Sequence, residues 1–207
     1  MRKSTLFLTI IFCVMSISVI YAGPKGIPDE IFKNGNARYD QSSNTLILED
    51  GFQYRLGKGL VVFETGKELR ILLEGNASFN ASLLSKDAIV VEAARPAQLS
   101  ITSNISGSAL SCPHLTIKKD VYMNLLSRNS SNTMHALECS GTLTIDNAVF
   151  CAETTTASLA VKVKELVLLQ VRYEKPKGGI VNNERGGICF GDGLPAKIVR
   201  IKPEEKK

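Results

Sequence analysis

Residues 137–151 read Leu137-Glu138-Cys139-Ser140-Gly141-Thr142-Leu143-Thr144-Ile145-Asp146-Asn147-Ala148-Val149-Phe150-Cys151. Apolar side chains alternate with polar or small ones through 137–140 and again through 143–146, the pattern of short half-buried strands. Ser140-Gly141 and Asp146-Asn147 supply turn residues between them. A third alternating segment starts at Val149. Three strands and two corners follow one another with no room for a helix.

The unit recurs along the chain. First strands are read at 61–64, 89–92, 110–113, 137–140 and 159–162. Second strands, built on Leu-x-Ile or Leu-x-Leu, are read at 69–73, 99–102, 115–118, 143–146 and 166–169. Third segments are read at 77–79, at Ile105, and at 121–123, 149–151 and 171–173. The first-strand starts at 61, 89, 110, 137 and 159 are 28, 21, 27 and 22 residues apart. Repeats of this length stack as solenoids. Three short strands per repeat, each beside its counterpart one turn later at ~4.8 Å, define a parallel β-helix. The sequence thus predicts an all-β, single-domain parallel β-helix of about five coils with irregular caps. Its right-handed sense follows from the general preference for right-handed crossovers. A leucine-rich repeat would need a helical period in every unit, and the units carry none. The predicted inward columns are Val61, Ile89, Leu110, Leu137 and Leu159, and Leu69, Leu99, Leu115, Leu143 and Leu166. A helix over 82–94 competes locally, but Val90 and Val91 favour a strand.

The stretch Ala136 to Asn147, with its shorter copy at 109–117, resembles the recurring Ala-Leu-x-x-x-Gly-x-Leu-Thr-Ile-x-Asn units of secreted bacterial right-handed parallel β-helix repeat proteins. The segment Tyr39-Asp40 to Asn44-Thr45-Leu46-Ile47-Leu48 is similar to the lead-in strand of that family. The resemblance spans roughly residues 39–175. Some such proteins are described as carbohydrate-binding, so it implies a polysaccharide or cell-surface glycan as the expected ligand class.

The chain has 207 residues, 44% hydrophobic and 22% charged, which argues against disorder. Met1-Arg2-Lys3, the apolar run from Leu6 to Ile20 and the Ala22-Gly23-Pro24 junction read as a secretory signal peptide cleaved after Ala22. The expected product is exported, periplasmic or extracellular, with no membrane span once the leader is gone. Removing Arg2 and Lys3 takes the formal charge from +5 to +3, too weak for a nucleic-acid partner. Four parts are expected: leader 1–22, N-terminal cap and lead-in strand 23–58, coils 59–179, and C-terminal cap with a polar tail 180–207. Pro28, Asp29 and Glu30 open a short helix that Gly35 would close.

Cys112 and Cys139 occupy the same inward position in successive coils, which predicts a stacked pair of buried thiols; a disulfide between rungs is the alternative. Cys151 is assigned to a third inward column beside Val149. His114 and His135 stand apart from any carboxylate or cysteine at ligand spacing, so no metal or other cofactor is expected. Neither a Ser-His-acid set nor a facing carboxylate pair is visible, and the expected protein is not an enzyme. Polysaccharide lyase or hydrolase chemistry is the minority reading. Counting six residues from Leu115 and Leu143 aligns Val121 with Val149 inward. That places Tyr122 and Phe150 outward on adjacent rungs with Arg172 on the next, a platform for a sugar ring or uronate. The alternative is that the C-terminal segment covers this face. Val167 and Leu169 also point outward and form a candidate protein-docking face. Sequons at Asn76, Asn80, Asn104 and Asn129 matter only in a glycosylating host.

Intact-mass measurement of the chain recovered from outside the cytoplasm should give a product beginning at Gly23; a product retaining Met1 would refute the leader.

Overall fold

The computed structural model describes residues 18–20, 26–33, 35–104, 107–128, 134–155 and 159–204, with side chains for all but 18–20, 57 and 58. The cleavage site at Ala22, Cys13, Ile105, Asn129 and residues 205–207 of the tail lie outside the described residues. In chain order the strands are β1 (Ser18–Ile20), β2 (Ala37–Asp40), β3 (Thr45–Leu48), β4 (Phe52–Phe63), β5 (Leu69–Leu73), β6 (Ala77–Ser85), β7 (Ile89–Ala93), β8 (Ala97–Ser103) and β9 (Leu110–Cys112). They continue as β10 (Leu115–Ile117), β11 (Val121–Ser127), β12 (Leu137–Asp146), β13 (Val149–Thr154), β14 (Val161–Leu169), β15 (Val171–Lys175), β16 (Ile180–Asn182), β17 (Gly187–Cys189) and β18 (Ile198–Pro203). Pro28 starts a short 3-10 helix, Asp29–Phe32, and Gly35, at φ 76°, returns its N–H to the Phe32 carbonyl at 3.2 Å. Among the described residues no helix is long and apolar enough to cross a membrane.

The strands wind into a parallel β-helix of about five turns with three faces. Its first face stacks β1, the end of β4, the end of β6, β9, and the starts of β12 and β14. The second stacks β3, β5, β7, β10 and the ends of β12 and β14. The third stacks the starts of β4 and β6 with β8, β11 and β13. Because side chains alternate across each strand, every rung sends its apolar set to the same interior. On the second face Leu69, Ile89, Leu115 and Leu143 stand in line, and Ile71, Val91, Ile117 and Ile145 form the neighbouring column. All eight are buried, each contributing about 1.5 to 3 kcal/mol.

The register corrects the phase of the predicted repeat. Val61 stacks on Leu83, then Leu110, Leu137 and Val161, so the true steps between these positions are 22, 27, 27 and 24 residues. Ile89 belongs with Leu69 on the second face, and Leu99 lies between Ala77 and Met123 on the third. Strand β6 is the cause: it runs through a corner without interruption and supplies both a third-face and a first-face strand. Its Ser82-Leu83-Leu84-Ser85 segment is therefore a rung, and no helix forms over 82–94.

Both ends depart from the parallel rule. At the N-terminus β2 and β3 form an antiparallel hairpin. Its turn is held by the Asp40 carboxylate, which accepts from Ser42 and Ser43 and is drawn down to about 2 by those bonds. Asn44, buried and at φ 53°, donates to Thr65 Oγ1 at 3.0 Å and the Glu68 carbonyl at 2.6 Å, and accepts from the Tyr39 hydroxyl. One side chain thus fastens the hairpin to the first coil. Ser18–Ile20, inside the expected leader, pairs in parallel with β4, Ser18 opposite Gly59 and Ile20 opposite Val61. Cleavage after Ala22 would remove that strand and open this edge of β4. At the C-terminus β18 inserts antiparallel between β13 and β15, and the β16–β17 hairpin closes against Lys162 of β14 through Gly187. A Cβ on Gly187 would lie 2.3 Å from the Val161 carbonyl oxygen, so this close approach requires glycine.

Cys112 and Cys139 are register partners, buried and unbridged, with Val163 on the following rung. The hydrogen bond with Cys139, and then burial, push the Cys112 thiol well above its ordinary range. Cys151 departs from its predicted inward column: β13 buries Phe150 and Ala152 inward, and Cys151 lies opposite Arg200 of β18, which helps cover it. Thiol reagents should find Cys112 and Cys139 silent in the native protein and reactive in denaturant, since burial denies access to the thiolate. Replacing both with Val should cost less than about 1.5 kcal/mol in chemical denaturation; a larger loss, or no thiol from the pair in denaturant, would refute the ladder.

Candidate functional site

Of the three predicted platform residues, the register leaves one in place. Tyr122 points outward and is 41% exposed. Phe150 is fully buried, the inward partner of Met123, and the residue beneath Tyr122 is Val149. The cause is one residue in a turn. Ile117 is followed by Lys118, Lys119 and Asp120 before inward Val121, whereas Ile145 is followed only by Asp146 and Asn147 before inward Ala148. Asp120 and Asn147 both take the left-handed conformation, at φ 67° and 45°. A one-residue difference inverts every side chain of the strand that follows, so Phe150 joins the core. Arg172 is exposed on β15, but β18 stands between that strand and β13, so it is not on the rung next to Phe150. The C-terminal segment therefore extends the third face in its own plane.

One outward column of the third face is a ladder of uncharged polar side chains, and the column beside it begins with Arg55 opposite Asn80. Outward positions carry Gln53 on β4, Ser78 on β6, Ser100 on β8 and Asn124 on β11, each opposite the next. Gln98 lies opposite Tyr122. Hydrogen bonds tie the ladder together: Gln98 Nε2 donates to Ser100 Oγ at 2.6 Å and Asn104 Nδ2 to Asn80 Oδ1 at 2.8 Å. The Gln98 backbone N–H donates to Asn76 Oδ1 at 2.9 Å, which locks that amide against the corner. Two shallow depressions lie along the face. One, of about 430 Å³, is lined by Tyr122, Gln98, Asp120, Asn147 and Pro203. The other, of about 350 Å³, is lined by Arg55, Asn80, Thr102, Asn104 and Arg128.

The other two faces carry ion pairs between neighbouring rungs. Lys86 meets Glu64 at 2.7 Å and Lys162 meets Glu138 at 2.6 Å on the first face. On the second, Glu92 accepts from Arg70 at 2.7 Å and Lys118 at 2.9 Å. Burial pulls the Glu92 carboxyl upward, and these two cations outweigh it to leave the group lowered. Charges so engaged make a solvated surface of little net worth.

His114 and His135 have structural partners. His114 Nδ1 accepts from the Thr142 N–H at 3.1 Å, and His135 Nδ1 lies 2.8 Å from the Leu159 carbonyl. Among the described residues no group of three or more His, Cys, Asp and Glu comes together as a metal set. The polar ladder escaped sequence reading because amides and hydroxyls have no diagnostic spacing. The alternation of β8, Ala97 to Ser103, did carry a signal: its outward positions are Gln98, Ser100 and Thr102. No family model, curated protein or solved structure matches the chain.

One buried hydroxyl is not used by this face. Tyr173 Oη lacks a hydrogen-bond partner, and burial pushes its ionisation up to about 12. Replacing a buried unsatisfied hydroxyl with hydrogen relieves its desolvation penalty. Tyr173→Phe should raise unfolding free energy by about 1 kcal/mol in urea titrations; a loss of similar size would show that the hydroxyl is satisfied in solution.

Proposed function

We propose that the protein is an exported, non-enzymatic binding protein that holds an extended glycan across the outer side of the third face. The observation that carries this reading is the third face's run of outward amides and hydroxyls, Gln53, Ser78, Ser100, Asn124 and Gln98, with the exposed Tyr122 ring beside them. Sugars present hydroxyls that exchange hydrogen bonds with such side chains, and an apolar ring face that stacks on an aromatic. Rungs repeat at ~4.8 Å, so polar groups recur along the axis and suit a polymer better than a small compact ligand. The depressions are open and shallow, as an extended chain requires. Arg55 and Arg128 at one end favour a glycan bearing acidic groups.

A second reading, a partner-docking solenoid, is favoured by Leu169, which is 45% exposed on the outermost rung of the second face beside half-buried Val167. The two readings separate on mutation. Protein made in a non-glycosylating host, so that Asn76, Asn80 and Asn104 stay bare, should bind on a glycan array. Tyr122→Ala should weaken binding about tenfold, close to 1.4 kcal/mol, with an unchanged circular dichroism spectrum. Binding that survives Tyr122→Ala and Arg55→Ala together would reject the face. No glycan binding, alongside association with a protein partner that Leu169→Ser abolishes, would favour docking. Unsaturated products from a uronate polymer, with or without Ca²⁺, would instead establish a lyase.

A further inference from the structure

The C-terminal cap carries a groove of different chemistry from the third face. It has a volume of about 630 Å³ and is lined by Pro176, Phe190, Pro195 and Ile198, with Lys175, Lys177 and Lys197 at its rim. Phe190 is 43% exposed although its backbone is tightly held: its N–H donates to the Leu194 carbonyl, and its carbonyl accepts from the Gly193 N–H, both at 2.9 Å. Pro195 bridges Cys189, and the Lys197 carbonyl accepts from Thr154 at 3.0 Å, so the opposite wall is tied to β13. The apolar floor is therefore preformed. Lys175, Lys177 and Lys197 are all exposed, and among the described residues none makes an ion pair. The one carboxylate at the rim, Glu174, is neutralised by Lys202 at 3.4 Å.

We propose that this groove is a binding site for an amphiphile with a single apolar chain and a carboxylate head. Its volume falls within the range of about 300 to 1,000 Å³ typical of small-molecule sites. The proline, phenylalanine and isoleucine surface takes the hydrocarbon, and the ammonium groups take the anion; the surrounding charge selects against a cationic head. Lysine suits this task because its flexible stem lets the ammonium follow a head group that is not fixed in the groove. The site lies on the cap, and its occupancy does not depend on the third face.

The test titrates the protein with dodecanoate below its micelle concentration, read by calorimetry and by protein NMR shifts. Saturable binding at one site is expected, with shifts centred on Phe190 and Ile198. Dodecan-1-ol should bind at least about tenfold more weakly and dodecyltrimethylammonium not measurably. Lys177→Glu with Lys197→Glu, and separately Phe190→Ser, should each weaken dodecanoate about tenfold with unchanged melting temperature. Tyr122→Ala should leave it unchanged. Absence of saturation, equal affinity for the alcohol, or indifference to both the charge and the Phe190 substitutions would overturn the proposal. Binding of an acidic apolar peptide where dodecanoate fails would also overturn it, in favour of a protein partner.

Discussion

Every feature of this molecule depends on rung-to-rung register. A parallel β-helix has no layer of helices to cover it, and its faces can pack only on one another. Its interior is made only of the side chains that each turn directs inward. Stacking Leu69 on Ile89, Leu115 and Leu143 is possible because successive second-face strands start at equivalent points, whatever the length of the corners between them. Corner length is free to vary where an excursion loops out, as the changing steps from Val61 to Val161 demonstrate. Strand phase is not free. A slip of one residue would exchange the apolar set for the polar one across a whole rung.

That constraint also decides what the surface can offer. Positions facing outward are relieved of packing, and the three faces use the freedom differently. On the first and second faces acidic and basic residues on neighbouring rungs neutralise each other, Glu64 with Lys86 and Glu92 with Arg70 and Lys118. The third face keeps hydroxyls and amides in line, and its hydrogen bonds run within the ladder from Gln98 to Ser100 and from Asn104 to Asn80. A network of neutral groups costs less to desolvate than fixed charges. A ligand laid on this face would therefore exchange hydrogen bonds of comparable strength, and discrimination would come from shape and from the Tyr122 ring.

Strand period, turn chemistry and stacked cysteines were legible in the sequence because each is written locally. The phase was harder to read. Leu99-Ser100-Ile101 looks like Leu115-Thr116-Ile117, yet one belongs to the third face and the other to the second, and only the pairing of Leu99 with Ala77 distinguishes them. The uninterrupted corner inside β6 hid a first-face strand, since no glycine or proline marks the bend between Asn80 and Ser82. The same difficulty split the expected platform. Tyr122 keeps its outward orientation, Phe150 turns inward after a turn one residue shorter, and Arg172 is displaced by a strand whose antiparallel insertion no local pattern announces.

The caps show why such an insertion is useful. A solenoid ends in an exposed strand, and a parallel edge invites another chain to add to it. Reversing β18 and placing it against β13 ends the parallel series, and β15 on its far side becomes the edge of the third face. That edge carries Arg172, Glu174 and Lys175, with Pro176 immediately after, the charged and proline residues that blunt further pairing. Turning the chain back to form β18 requires the connection through β16, β17 and the 190–194 turn, which brings Phe190 and Pro195 over the end of β15. The apolar groove and its lysine rim are thus a geometric consequence of closing the edge. A cap whose sole role were to block strand addition would be served by charge alone; the exposed Phe190 side chain in its rigid turn is the part of this arrangement that edge protection leaves unexplained.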